Sequence, residues 1–389
     1  MKHKKVLWWV IASGLVALLS CAPLSAPAPS VVPSIQPTVS APTSNLPPVR
    51  QAQGMLLTAQ EDAAWARVVE AAKKEGKVTL YSFNFTGDTG LNIMKVFKER
   101  YGITVDIITG RGAEFLERLK TEKRVGQLTA DFTEGSAIHV KNMANDGITI
   151  GVSTELPALK EKGVWIVDPL SLDPQNKHLE SHFVTTYSPW INTKTVKPGE
   201  EPKVWRDLLK PRWKGRMTLT EYKLSGGPYL LFPPLLREKV IDVDYIKALF
   251  GQDMLFISSV MEEASRIAQG ERDLMIRGSD SQATFVMQGA PLRAIELEDG
   301  TTLSPGTATV IAGAPHPNAA RLFLNWIITP EGQAAFGKYK GIGLVRKDAT
   351  DYRPEPIKFI PKRPIVMTFE DNDDGSRLFR EKWLDKLWG

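Results

Sequence analysis

Apolar residues recur along the chain with two alternating periods. From Asp62 to Glu75, Trp65, Val68, Val69 and Ala72 fall at helical spacing, with acids at the start, lysines at the end and Gly76 following. That pattern predicts an amphipathic helix closed by a left-handed residue. Lys77 to Phe85 (KVTLYSFNF) is β-branched and aromatic and reads as a strand. Gly87 to Gly90 interrupts it before Ile93, Phe97 and Tyr101 restore the helical period. Thr104 to Ile108 predicts a second strand. Gly110-Arg111-Gly112 then opens a helix with Phe115, Leu116 and Leu119 as its apolar side and Glu114 four residues before Arg118. From Trp205 to Phe250 the pattern restarts: Trp205 to Leu209 reads as helical, Gly215 to Thr220 as a strand, and Ser225-Gly226-Gly227 opens a further element.

Alternating strands and helices predict an α/β architecture with parallel strands and right-handed crossovers, in two lobes. Open sheets of this kind bind ligands at the carboxyl ends of their strands. The loops to inspect are therefore Ser82 to Gly90, Thr109 to Gly112, and Thr133 to Ser136 after Ala130-Asp131-Phe132. Each leads to a helix N-terminus with free N–H groups.

The first residues follow a different logic. Met1 to Lys5 is basic and Val6 to Leu19 is apolar, too short for a hydrocarbon core that needs about 20 residues. This reads as a secretory signal over residues 1–20. It ends in Leu18-Leu19-Ser20-Cys21, which resembles the bacterial lipobox, so Cys21 is the expected lipidation site. From Ala22 to Pro48 no residue is charged, and prolines stand at 23, 27, 29, 33, 37, 42, 47 and 48. Such a stretch builds no core, and residues 21–55 read as a lipidated cysteine and an extended spacer. The expected location is a periplasm or cell surface, anchored by lipid.

Composition narrows the class. The chain has 389 residues, which favours more than one domain. Of the net charge of +5, Lys2, Lys4 and Lys5 carry three units in the leader, leaving +2, so no nucleic-acid footprint is present. A single cysteine forbids an intramolecular disulfide and a cysteine-based zinc site. His139, His178, His182 and His316 show no metal-binding spacing, and Asp371-Asn372-Asp373-Asp374-Gly375 lacks the register of a calcium loop. Neither a metal nor a cofactor is expected. A secreted α/β hydrolase stays open as an alternative, although G-x-S-x-G, S-x-x-K and the phosphate-binding G-x-x-x-x-G-K-[ST] are all missing from the sequence.

Several stretches resemble one family. They are Ala71 to Val78 leading into Tyr81-Ser82; Phe97 to Ile103; Thr129-Ala130-Asp131; Trp205 to Gly215 (WRDLLKPRWKG); Ala314 to Phe323 (APHPNAARLF); Asn325-Trp326; and Pro330-Glu331-Gly332-Gln333. Their order and spacing resemble the extracellular solute-binding proteins of ATP-binding-cassette importers, in the branch that includes the ferric-ion binders. The resemblance implies a two-lobed fold of type II periplasmic binding proteins, each lobe a mostly parallel sheet flanked by helices, joined by a hinge. It places residues 56–187 with 296–328 in a first lobe and 188–295 with 329–389 in a second, and it has the chain crossing near His182 to Asn192 and returning near Pro291 to Thr309. The implied function is capture of a small anionic or zwitterionic solute by a monomer that delivers it to an ABC permease. A binding protein feeding a sensory receptor would use the same cleft.

In ferric binders two adjacent tyrosines follow Gly-Glu-x-Asp. Here Gly270-Glu271-Arg272-Asp273 leads instead to Asp280 and Ser281 at those places, and Ser136, beside Glu134, aligns with the acidic ligand. Ferric iron favours phenolate and carboxylate oxygens, so a ferric binder is not expected. Ser225, Gly226 and Gly227 are the expected cradle for an anion, and Arg111 with Gly112 a similar mouth on the first lobe. Asp280 offers a carboxylate for an amine, or is neutralised by Arg277. Tyr81, Phe83, Tyr187 and Trp190 are candidates for a stacking wall, with Ser82, Asn84 and Gly135 on the neighbouring loops.

Overall fold

The computed structural model describes residues 59–151, 156–172, 180–221, 230–372 and 381. The leader, Cys21, the spacer and Tyr222 to Tyr229, including Ser225, Gly226 and Gly227, lie outside the described residues.

The first expected helix is α1 (Ala59–Glu75), with the lysines Lys73 and Lys74 in its last turn. Strand β1 (Lys77–Ser82) follows; it ends three residues earlier than the β-branched run suggests, because Phe83 to Thr86 turn into α2 (Gly87–Tyr101). Then come β2 (Thr104–Thr109), α3 (Gly112–Val125), β3 (Phe132–Ser136) and α4 (Ala137–Asn145). Strand β1 lies between β2 and β3, parallel to both, as the alternation predicts.

A second set is built the same way. It comprises β6 (Met217–Thr220), α6 (Val243–Phe250), β7 (Leu255–Ile257), α7 (Val260–Gln269) and β8 (Leu274–Gly278), with β6 parallel to both β7 and β8. Trp205–Leu209, expected to be helical, is a 3-10 turn. It buries Trp205, whose indole N–H donates to the Gly300 carbonyl at 3.0 Å.

Two long strands join the sets. The described strands form one sheet with the main order β2-β1-β3-β10-β5-β8-β6-β7, with β5 (Glu180–Asn192) and β10 (Thr301–Ile311) antiparallel at its centre; β4 (Thr149–Ile150) and β11 (Pro364–Val366) also pair with β10, and β9 (Leu292–Ala294) with β5. Of the expected crossing stretches, His182 to Asn192 lies on β5, and of Pro291 to Thr309 only Thr301 to Thr309 lies on β10. Gly306 faces Phe183 across the pair, and a Cβ there would come within 2.1 Å of the phenyl ring. A side chain at this position would push the crossing strands apart, so glycine is required.

Helix α10 (Pro330–Lys340) packs on α2 and on α9 (Pro317–Ile327), and Phe336 stacks near both Phe85 and Phe183. This helix therefore lies with the β1–β3 set, whereas the resemblance implies residues 329–389 in the second lobe. The motif stretches have structural work that explains them. Asp131 accepts from Thr79 N at 2.8 Å and from His316 N at 2.6 Å, and Glu75 accepts from Ala319 N at 2.7 Å at the start of α9. Two buried or half-buried carboxylates thus tie α1, β1 and β3 to the N-terminus of α9, where the helix dipole favours negative charge.

Candidate functional site

The register of the central strands determines where the two sets of strand ends meet. Ser136, the last residue of β3, pairs with Gly306, which is level with Phe183 on β5. Gly278, the last residue of β8, pairs with Ser188. Both β3 and β8 are antiparallel to their central neighbour, and the central strands are antiparallel to each other, so β3 and β8 run in opposite directions. Their C-terminal ends point toward one another along β5, separated by the five residue steps from Phe183 to Ser188. At about 3.3 Å per residue that interval is about 17 Å along the strand. Strand ends from both halves thus border one stretch of the crossing strands, the arrangement that gives an α/β sheet its ligand crevice.

On the first side the organising residue is Glu134, buried near the end of β3. Its Oε1 accepts from the Ser82 hydroxyl and from Asn84 N at 2.7 Å, and its Oε2 accepts from Asn84 Nδ2 at 2.6 Å. The Ser82 hydroxyl oxygen also accepts from Phe85 N at 2.7 Å. One carboxylate therefore shapes the whole β1–α2 loop. Lys340, at the end of α10, donates to the Asn84 carbonyl, and burial pushes its ammonium down to about 8 against the pull of Glu134. Phe83 is left 57% exposed at the loop tip. Gly135 is buried, and a Cβ there would meet nothing within 4 Å. Ser136 shares a hydrogen bond of 2.6 Å with His139 Nδ1, and burial holds that imidazole below its usual pKa.

Arg111 is exposed at the N-terminal edge of α3, and its backbone N donates to Glu114 at 3.1 Å. Gly112 has a packing reason: a Cβ would lie 2.4 Å from the His139 ring. Tyr81 is core, stacked on Phe115 at 4.8 Å, with its hydroxyl donating to Glu122 at 2.5 Å.

On the second side the expectations for two residues change. Trp190, proposed for the stacking wall, is 1% exposed and packs with Ala264, Ile267, Met275 and Leu292. A Cβ on Gly278 would come within 2.1 Å of its ring. Both faces of that indole are consumed by core, so it offers none to a solute. Asp280 is buried and bridges two chain segments: its Oδ2 accepts from Thr186 N at 3.0 Å and from Gly343 N at 3.1 Å. Its nearby cation is Arg353, not Arg277, and burial pushes its carboxyl up to about 6. It acts as a bracket between β5 and the 343 segment. Arg277, by contrast, is 4% exposed and lies 4.3 Å over the Tyr187 ring. Its Nε has no hydrogen-bond partner among the described residues. Tyr187 therefore serves as a seat for the guanidinium.

Three features escaped the sequence reading. Lys340 and Ser188, buried opposite Gly278, carry no local signal at all. Glu263, on α7, accepts from Thr218 Oγ1 at 2.7 Å and Thr220 Oγ1 at 2.8 Å, and burial raises its pKa. Its helical neighbours Ala264 and Ile267 mark the inward face, and a glutamate in that stripe was the available clue.

Two mixed α/β sets joined by a pair of crossing strands around a shared crevice define a two-lobed, type II periplasmic-binding-protein fold. A family model described as "Bacterial extracellular solute-binding protein" matches residues 91–339, and the chain belongs to that family. It is similar to the iron-bound HitA of Pseudomonas aeruginosa (18% identity, TM-score 0.59, covering 79% of this chain and 98% of that one). It is also similar to AfuA of Actinobacillus pleuropneumoniae, solved with fructose-6-phosphate bound (20% identity, TM-score 0.57, 80% and 99% covered). An uncharacterized protein of Haemophilus influenzae is 24% identical over 340 residues, 84% of this chain and 94% of that protein. Among the described residues no helix is long and apolar enough to cross a membrane.

Proposed function

We propose that the protein is a lipid-anchored, monomeric receptor that captures a small anionic or zwitterionic solute between its lobes and delivers it to an ABC permease. The observation that carries this reading is the opposed register of β3 and β8 over Phe183 to Ser188. The first lobe in this reading is 56–187 with 296–328 and α10, and the second is centred on 188–295. The first wall contributes Ser82, Phe83, Asn84, Gly135 and Ser136, with Arg111 and Gly112 at its outer edge. The second contributes Tyr187 and Arg277; Ser225, Gly226 and Gly227, the expected anion cradle, lie outside the described residues.

Among the fold neighbours one carries iron and another a sugar phosphate. For this chain the donor set favours the organic anion. Asp280 and Ser281 stand where paired phenolates would be needed, and the Asp280 oxygen Oδ2 is occupied by two backbone N–H groups. A thermal-shift screen of carboxylates, sugar phosphates, phosphonates, polyamines, thiamine and ferric citrate tests the reading. A solute at 100 times its dissociation constant adds about 2.7 kcal/mol. A screen in which nothing stabilises the protein, repeated with extract of the producing cell, would count against solute capture. Lipid anchoring is tested separately: Cys21→Ser should release the protein from membranes, and mass spectrometry of the mature form should find a diacylglyceryl group on Cys21.

A further inference from the structure

Arginine is almost never fully buried unless it is paired, because removing an ion from water costs several kcal/mol. Arg277 departs from that rule. It is 4% exposed at the end of β8, its Nε has no acceptor, and no carboxylate among the described residues is ion-paired with its guanidinium. An acid that interacts with it through space is Glu263. That carboxyl group is committed to Thr218 and Thr220, and burial favours its neutral form. The guanidinium lies over the face of Tyr187 at 4.3 Å, with its Nε free of any partner among the described residues.

The position matters as much as the lack of a partner. Arg277 immediately precedes Gly278, the residue that meets Ser188 at one end of the crevice. Thr218 pairs with Met275 in the parallel β6–β8 ladder, so Arg277 lies alongside the last residues of β6. A fixed, desolvated guanidinium at the mouths of two parallel strands is a fork for a two-oxygen anion.

Resting on the solute-binding reading above, we infer that Arg277 is the residue that selects the solute: it takes an oxyanion, a carboxylate or a phosphate, whose charge completes an ion pair that no described residue supplies. The solute therefore enters with its anionic end toward β8 and its remaining groups toward the Glu134-organised loop. Tyr187 is the positioning residue, acting only through the guanidinium.

The test uses Arg277→Met and Arg277→Lys in the full chain, with inorganic phosphate, acetate, fructose-6-phosphate and citrate as probes, read by calorimetry and thermal unfolding. An unpaired buried cation costs stability, so without probe Arg277→Met should melt at or above the wild-type temperature. A merely structural arginine would make it melt lower. With the best probe, Arg277→Met should bind about 10- to 100-fold more weakly, the range of charge-assisted hydrogen bonds, and Arg277→Lys should fall between. Phosphate and fructose-6-phosphate acting together identify a phosphate end; acetate and citrate acting together identify a carboxylate. Unchanged affinity in Arg277→Met, or a lower melting temperature with binding intact, overturns the assignment of Arg277 and leaves solute capture standing. If no probe binds the wild type but a neutral or cationic solute does, the oxyanion is wrong; if nothing binds, both readings fall.

Discussion

Replacing Asp280 by asparagine should stabilise the protein at neutral pH, although it removes a charged acceptor of two hydrogen bonds. The carboxyl is buried, and its pKa rises from 3.8 to about 6 because desolvation outweighs the help of Arg353 and of the Thr186 and Gly343 N–H groups. At about 1.36 kcal/mol per pKa unit, the charged form carries a penalty of about 3 kcal/mol relative to the neutral one. An asparagine carbonyl can accept the same two N–H bonds, now at 3.0 and 3.1 Å, without that penalty. The sign follows from linkage. The folded carboxyl binds its proton at higher pH than the unfolded one, so this group adds stability as pH falls through 6 toward 3.8 and withdraws it as pH rises. Urea unfolding of both proteins at pH 7.5, 5 and 4 measures it. The variant should lead by up to about 3 kcal/mol at pH 7.5, and the lead should shrink toward zero at pH 4. A variant less stable than wild type at pH 7.5, or an offset that ignores pH, would refute the bracket as described.

Glu134→Ala strands the Ser82 and Asn84 donors, which should cost about 1–3 kcal/mol in chemical unfolding and weaken solute binding by loosening the β1–α2 loop. Gly112→Ala drives a Cβ to 2.4 Å from the His139 ring and should cost about 1–3 kcal/mol, an overpacking penalty visible in the melting temperature. Lys340 has a folded pKa lowered from 10.5 to about 8, so the fold binds fewer protons there than the unfolded chain does. Stability should therefore gain a contribution as pH rises from 8 to 10.5, and Lys340→Met should abolish that slope in pH-dependent unfolding.

The parts of the fold that were legible in the sequence are those set by local periodicity. The α1 stripe, the β1 and β2 runs and the glycines that open α2 and α3 all found their elements to within a few residues. The loop after β1 misled, since Phe83 and Phe85 extend an aromatic alternation that the chain abandons to let Glu134 gather Ser82 and Asn84. What sequence could not supply was long-range. The pairing of β5 with β10 joins residues more than a hundred positions apart, and β10 contains Pro305 and Gly306, which argue locally against a strand. The same distance hides the site chemistry. Asp280 looked like a free carboxylate because its two donors come from β5 and from Gly343, and Trp190 looked available because the core that encloses it is assembled from α7, β8 and β9 (Leu292–Ala294). The packing of helix α10 on α2 likewise has no sequence pattern of its own.

The most direct test of the central claim is a crystal structure of the protein with the solute that native mass spectrometry recovers from it. Density for that molecule should lie over Phe183 to Ser188, with an anionic group within hydrogen-bonding distance of the Arg277 guanidinium and the β1–α2 loop on its other side. A solute bound away from the β5 crossing, or one in the crevice that leaves Arg277 without a partner, would contradict it.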